Sequence, residues 1–337
     1  SATPAFIARL VKEAVTTHPS VEAAQARTQA ATSAISSIRL WEDPQLGLGT
    51  LFASNMNRQG QGDIAVGVDQ MLPRRGLYRA EKSRATAEQL AQAAMQKQIA
   101  NELGLMVAQA TLELALSDEV IRLQAENVAW LETIVKTAEE RAKNPDASAT
   151  ETLRLESELA VKQQVLASAR RQRGQFATTL NLLLGRAADA PWPSLSLPAQ
   201  AQDHASATAL KVRLERDNPA LASLRHQIEA AQAETMAARE KRKPAFSMGL
   251  QVNTYSQGTL QDTMAMLNFK MTLPWFNRKA YEADIARASN EISVYYNYFF
   301  AWFKNEREIS QGLMSTLSEE DLKNPMISPE VMRTNNV

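Results

Sequence analysis

Apolar positions along this chain recur with two periods, and the switches between them fall at prolines. Over 5–40, Phe6, Leu10, Val11, Ala14, Val21, Ala24, Ile35 and Ile38 return at three- and four-residue steps, which predicts one amphipathic helix. Past Pro44 the step becomes two: Leu46, Leu48, Thr50 and Phe52 alternate with Gln45, Gly47, Gly49 and Leu51. After a polar turn from Asn55 to Gly62, Ile64, Val66 and Val68 alternate with Ala65, Gly67 and Asp69. Two alternating runs around a polar turn predict a β-hairpin over 44–72 with one apolar face.

Pro73 closes that hairpin and admits a helix just beyond it. From Leu77 to Lys143 there is no proline and one glycine, Gly104. Leu103, Val107, Ala110, Leu114, Ile121, Val128, Leu131, Val135 and Ala138 follow a period near 3.5, a coiled-coil seam. At 1.5 Å per residue such a helix is on the order of 100 Å long. Asn144-Pro145-Asp146-Ala147-Ser148 is a turn in which Asp and Ser can cap the next helix. That helix returns to Leu184, where Gly185 stops it, so 77–184 is expected to be a coiled-coil hairpin. Pro191, Pro193 and Pro198 mark 186–203 as a linker.

The rest of the chain replays this order. A helix is predicted over 206–243 and a second hairpin over 244–273. Phe246, Met248, Leu250 and Val252 lie on one face of its first strand, and Ala265, Leu267, Phe269, Met271 and Leu273 on one face of its second. Pro274 then opens a new helix. Pro219 and Pro244 lie 200 positions after Pro19 and Pro44, Gly249 lies 200 after Gly49, and Leu273-Pro274 lies 201 after Leu72-Pro73. Register kept over so many residues predicts an internal duplication, with repeats at 1–185 and 204–337. The expected fold class is mainly α with β-hairpins, in a duplicated order of helix, β-hairpin and long coiled-coil helical hairpin.

Composition narrows the function. Acidic and basic residues balance at 37 each, so no bulk charge draws the chain to nucleic acid. The absence of cysteine excludes disulfides, thiolate metal sites and a thiol for a lipid anchor. No run approaches the roughly 18 apolar residues of a membrane-spanning helix. The start at Ser1-Ala2-Thr3-Pro4 has no basic and apolar leader, so an export signal is expected to have been removed or never to have existed.

No residue set suggests catalysis, a cofactor or a metal centre. His18, His204 and His226 are scattered, and His18 stands where the second copy has Asn218, which favours a helix-start role over a metal role. Met248, Met264, Met266 and Met271 gather in the second hairpin, and thioethers suit Cu(I). By alternation only Met264 and Met266 share the polar face, so packing is the expected role. Asp69, Gln251, Asn253, Asn268 and Lys270 fall on the polar face. Asp69 and Lys270 are candidates for ion selection there, with a solvated or paired charge as the plain alternative.

Four strands cannot close a barrel, whereas several copies could, and closure removes open edges. Apolar-out, polar-in strands of about ten residues fit a transmembrane β-barrel. A soluble sheet with its apolar face on a helix is the alternative. Trp41 before the first strand and Trp275-Phe276 after the last suit a membrane interface.

These features resemble the TolC family of outer-membrane efflux proteins over roughly 5–300. The residues that carry the resemblance are His18-Pro19 and Asn218-Pro219 at the helix starts and Pro44 and Pro244 at the strand entries. With them stand Gln70-Met71-Leu72-Pro73-Arg74-Arg75-Gly76, Met271-Thr272-Leu273-Pro274-Trp275-Phe276-Asn277-Arg278 and the spaced alanines Ala280, Ala283, Ala286 and Ala288. The resemblance implies a homotrimer with a twelve-stranded β-barrel in outer-membrane lipid and an α-helical barrel extending through the periplasm. It implies a passive conduit for drugs or metal ions in a tripartite efflux or type I secretion system. The implied partners are an inner-membrane pump and a periplasmic adaptor that meets a hairpin tip, at the position of Asn144 to Ser148. From another class, a soluble periplasmic coiled-coil adaptor or scaffold would share the helical hairpin, but should carry short β-rich segments around it.

The second copy departs from the first near its end. Lys143-Asn144-Pro145 places its proline 72 residues after Pro73, whereas Lys323-Asn324-Pro325 comes 51 after Pro274. The expectation is a truncated or frame-altered chain, or an abbreviated second helical hairpin.

Overall fold

The computed structural model describes residues 1–51, 63–143, 149–198, 213, 216–257 and 260–316. The elements in order are α1 (Pro4–Thr17), α2 (Pro19–Ser37), β1 (Gln45–Leu51), β2 (Asp63–Met71), α3 (Arg75–Arg141) and α4 (Ala149–Leu183). Then follow α5 (Pro219–Lys241), β3 (Phe246–Gln257), β4 (Leu260–Met271), a 3-10 turn (Pro274–Asn277) and α6 (Arg278–Thr316).

The helix expected over 5–40 is in fact two helices. Proline disfavours helical backbone in the residue before it, and His18 is extended at φ −76°, ψ 130°. Its N–H still closes α1 on the Ala14 carbonyl, while its ring Nδ1 accepts from the Ser20 N–H at 3.2 Å. The run expected over 206–243 breaks in the same way. Asn218 leaves the helical path ahead of Pro219, and its Oδ1 accepts from the Ala220 N–H at 2.8 Å. Imidazole and amide thus do one job at positions 200 apart.

The chain forms two compact units, residues 1–30 with 92–220 and residues 31–91 with 221–337. In the first, α1, α3 and α4 bury Leu10, Ala14, Leu103, Val107, Ala110, Leu114, Leu180 and Leu184. The seam continues along α3 through the buried Val128, Leu131 and Val135. Each fully buried leucine contributes about 1.5–3 kcal/mol. Gly104 permits the approach of α1, since a Cβ there would lie 3.0 Å from Val11 Cγ1. Gly185, at φ +68°, ends α4 in the left-handed conformation that glycine adopts without strain. The segment after it is tied down by polar groups. Asn181 donates to the Ala188 and Ala190 carbonyls and accepts from Trp192 Nε1 at 2.7 Å. The Asp118 carboxylate accepts from the Leu195 N–H at 2.9 Å and pairs with Arg173.

The exposed side of α3 also carries apolar residues, among them Leu105, Met106, Leu112, Leu116 and Leu123. One 18-residue window of α3 therefore reaches a mean hydropathy of 1.2, enough by length and composition to cross a membrane. Pure apolar runs do not reveal this, because the helix is apolar on two sides.

In the second unit the helices meet through small side chains, with Ala80, Ala85, Ala87, Ala230, Ala231, Ala233, Ala237 and Ala288 all buried. Arg84 and Arg287 both approach Glu234, at 3.9 and 3.4 Å. Arg74 donates to the carbonyls of Glu240, in the last turn of α5, and Lys243, just past it. The four strands form one antiparallel sheet in the order β1-β2-β3-β4. β2 pairs with β3, so the two hairpins are joined edge to edge.

Candidate channel-lining site

Register sorts the strand residues into two faces. Leu46, Val68, Leu250 and Leu267 form one row across the sheet, and Leu48, Val66, Val252 and Ala265 the next. Phe246, Met248, Phe269 and Met271 continue this apolar face towards the proline end. The face is exposed: Leu48 is 75 % and Phe269 70 % accessible. The other face carries Gly47, Gly49, Ala65, Gly67, Asp69, Ser247, Gly249, Gln251, Asn253, Met264, Met266, Asn268 and Lys270. It is the better covered side, and Asn253 is only 8 % accessible. A water-soluble sheet buries its apolar face. This one is inverted.

The polar face is cross-linked by its own side chains. Asn268 Nδ2 donates to Gln251 Oε1 at 3.3 Å, and Gln251 Nε2 donates to Asn253 Oδ1 at 2.8 Å. The Gln251 side chain lies against Gly67, where a Cβ would come within 3.4 Å of it. Lys270 Nζ donates to both oxygens of Asp69 at 2.9 Å, reaching from β4 to β2 across β3. Gly249 makes the crossing possible, because a Cβ there would sit 2.9 Å from Asp69 Cγ. The five polar residues Asp69, Gln251, Asn253, Asn268 and Lys270 share one face by register, in two bonded groups: the amides Asn268, Gln251 and Asn253, and the pair Asp69 with Lys270. Met264 and Met266 share it too, whereas Met248 and Met271 lie on the apolar side.

Trp41, Trp275 and Phe276 are exposed. Trp41 precedes β1, and Trp275 and Phe276 follow β4 in the 3-10 turn. The start of β1 pairs with the end of β2, and the end of β4 with the start of β3, so these aromatics flank one end of the sheet. The turn Asn144, Pro145, Asp146, Ala147 and Ser148 lies outside the described residues, as does His204. His226 pairs with Glu229 at 2.9 Å. The sequence pattern did not single out Asp118 or Arg173. Its signal was the gap in the seam between Leu114 and Ile121, where Ser117 and Asp118 stand in place of an apolar residue.

On the exposed helix surface, Arg122 donates to Glu119 at 2.5 Å and to Glu126 at 2.6 Å. The hydrogen bond from Arg122 holds the Glu119 carboxyl below its ordinary 4.5. Arg278 does the same for Glu282, by a hydrogen bond and by charge.

The chain thus combines a four-stranded sheet whose apolar face is exposed with long helices that carry a coiled-coil seam. Residues 10–186 match the outer membrane efflux protein family, and the chain belongs to it. Among solved structures, the outer-membrane channel OprN is similar with a TM-score of 0.76 at 14 % identity, covering 92 % of this chain and 73 % of that one. CusC has a TM-score of 0.70 at 15 % identity, covering 97 % and 81 %. The outer-membrane protein VceC from Vibrio cholerae has a TM-score of 0.71 at 17 % identity, covering 93 % and 79 %. At such identities the likeness is one of fold. A stretch of 57 residues, 17 % of the chain, is 58 % identical to the oxygenase component of flavin-dependent trigonelline monooxygenase from Acinetobacter baylyi, and spans 16 % of that protein.

Proposed function

We propose that the chain is one of three identical subunits of an outer-membrane conduit in a tripartite export system. The observation that carries this reading is the exposed apolar face of the sheet opposite an amide-linked polar face. From Phe246 to the row of Ile64 and Thr254 is eight residues, about 27 Å along the strand at roughly 3.4 Å per residue. That is the order of the roughly 25 Å apolar band of an outer-membrane barrel. Four strands with β1 and β4 as edges call for further copies, and three give twelve strands with no edge left. Asp69, Gln251, Asn253, Asn268 and Lys270 then line the lumen, while Trp41, Trp275 and Phe276 lie at the lipid boundary. The helices extend into the periplasm, where the turn Asn144 to Ser148 meets an adaptor and, through it, an inner-membrane pump.

The conduit breaks no bond, and drugs or metal ions pass by virtue of work done in the pump. The test is incorporation of the purified, detergent-extracted chain into planar bilayers. Stepwise conductance in multiples of one trimer unit is expected. Water-soluble monomers without conductance would overturn the reading.

A further inference from the structure

We propose that Asp69 and Lys270 are the residues that set the ionic selectivity of the conduit, by cancelling one another at one level of its wall. The inference rests on the channel reading above. From the row of Ala65 and Asn253 to the proline end of the sheet, these two are the only charged residues on the polar face. The other residues of those rows are amide, hydroxyl, thioether, alanine or glycine. The two charges are not spread along the wall as separate sites. Lys270 bonds both carboxylate oxygens of Asp69 at 2.9 Å, and the contact passes over Gly249, the one residue of that row without a side chain.

A pair held so closely presents a dipole to a passing ion in place of a full charge, and a dipole's field falls off faster with distance. Three copies place three such dipoles at one height, with no net charge. The wall therefore passes cations and anions alike at that level, which suits a conduit whose cargo is chosen elsewhere. Lys270 is 60 % accessible and Asp69 33 %, so both remain within reach of the lumen once unpaired. Rings of like charge are what make pores selective, and removing either partner would create one.

The experiment is the reversal potential across a planar bilayer under a tenfold KCl gradient. The wild type is expected near zero. Lys270→Met leaves a ring of carboxylates and should shift the potential by tens of millivolts towards the cation limit. Asp69→Asn leaves a ring of ammonium groups and should shift it the opposite way. Asp69→Asn with Lys270→Met should return it to the wild-type value, and so should the exchanged pair Asp69→Lys with Lys270→Asp. Single variants that conduct without a shift, or that shift in the same direction, would overturn the inference. So would single variants that fail to conduct while the exchanged pair conducts, since the pair would then be a strap between strands. A wild type without conductance would instead overturn the channel reading.

Discussion

Arg173 grips the Asp118 carboxylate from Nε at 2.5 Å and from Nη2 at 3.3 Å, joining α4 to α3 across 55 positions. The same Nη2 donates to the Trp192 and Pro193 carbonyls at 3.2 Å. One ion pair thus fastens both helices and the segment that leaves them. The Asp118 side chain is only 8 % accessible, so the pair is shielded on the acidic side.

Arg173→Met is expected to cost about 3 kcal/mol of stability, because it leaves a buried carboxylate unpaired. Asp118→Asn keeps an acceptor for the Leu195 N–H and should cost less. Denaturant unfolding of the detergent-solubilised protein, followed by the near-ultraviolet signal of Trp192 and its neighbours, measures both. Equal and negligible losses would show that the segment after Gly185 is held by Asn181 and Trp192 alone.

Gly104 of α3 lies against Val11 of α1. Gly104→Ile should destabilise the first unit by about 2 kcal/mol through overpacking against Val11. Val11→Ala combined with it should recover much of that loss. The midpoint of thermal unfolding for the two variants decides the matter; an unrescued loss would trace the effect to some other neighbour.

The apolar face offers a test of insertion that is separate from conductance. Leu48→Arg and Phe269→Arg should each lower insertion into lipid vesicles, with a cost of about 2–4 kcal/mol near the bilayer midplane. Gln251→Lys on the opposite face should insert as the wild type does. Equal sensitivity of the two faces, measured as the folded, membrane-retained fraction, would contradict the assignment of outside and inside.

Glu119 and Glu282 should titrate below 4.5 in carbon-13 carboxyl spectra. A carboxyl whose pKa is depressed in the folded state stabilises the fold above its unfolded value and loses that contribution as pH falls through the depressed one. The loss therefore lies at and below about pH 4.5. Arg122→Gln should bring the Glu119 midpoint back towards its ordinary value. An unchanged midpoint would remove the hydrogen bond from Arg122 as its cause.

Periodicity made much of this fold legible. A strand with one apolar and one polar face must alternate, and a seam on a long helix must repeat near 3.5, so Leu46, Leu48, Ile64, Val66 and Val68 and the run from Leu103 to Val135 declared themselves. The prolines at 44, 73, 244 and 274 marked element boundaries because each forbids a backbone state. What stayed hidden depended on residues far apart in sequence. Nothing local to Asp118 points to Arg173, and nothing local to Gly249 says that a carboxylate crosses it. The break at His18 was visible in Pro19 but was outweighed by the apolar period running through it.

Asp69 and Lys270 also hold the same place in their hairpins, each four residues before the proline that ends the strand. If both hairpins carried one identical sequence, that place would face itself across β3 with a like charge, and the two would repel. The bond between them requires the two halves to differ. A version of this protein assembled from identical single hairpins could not contain it, so the pair is a product of asymmetry that only a tandem chain can keep.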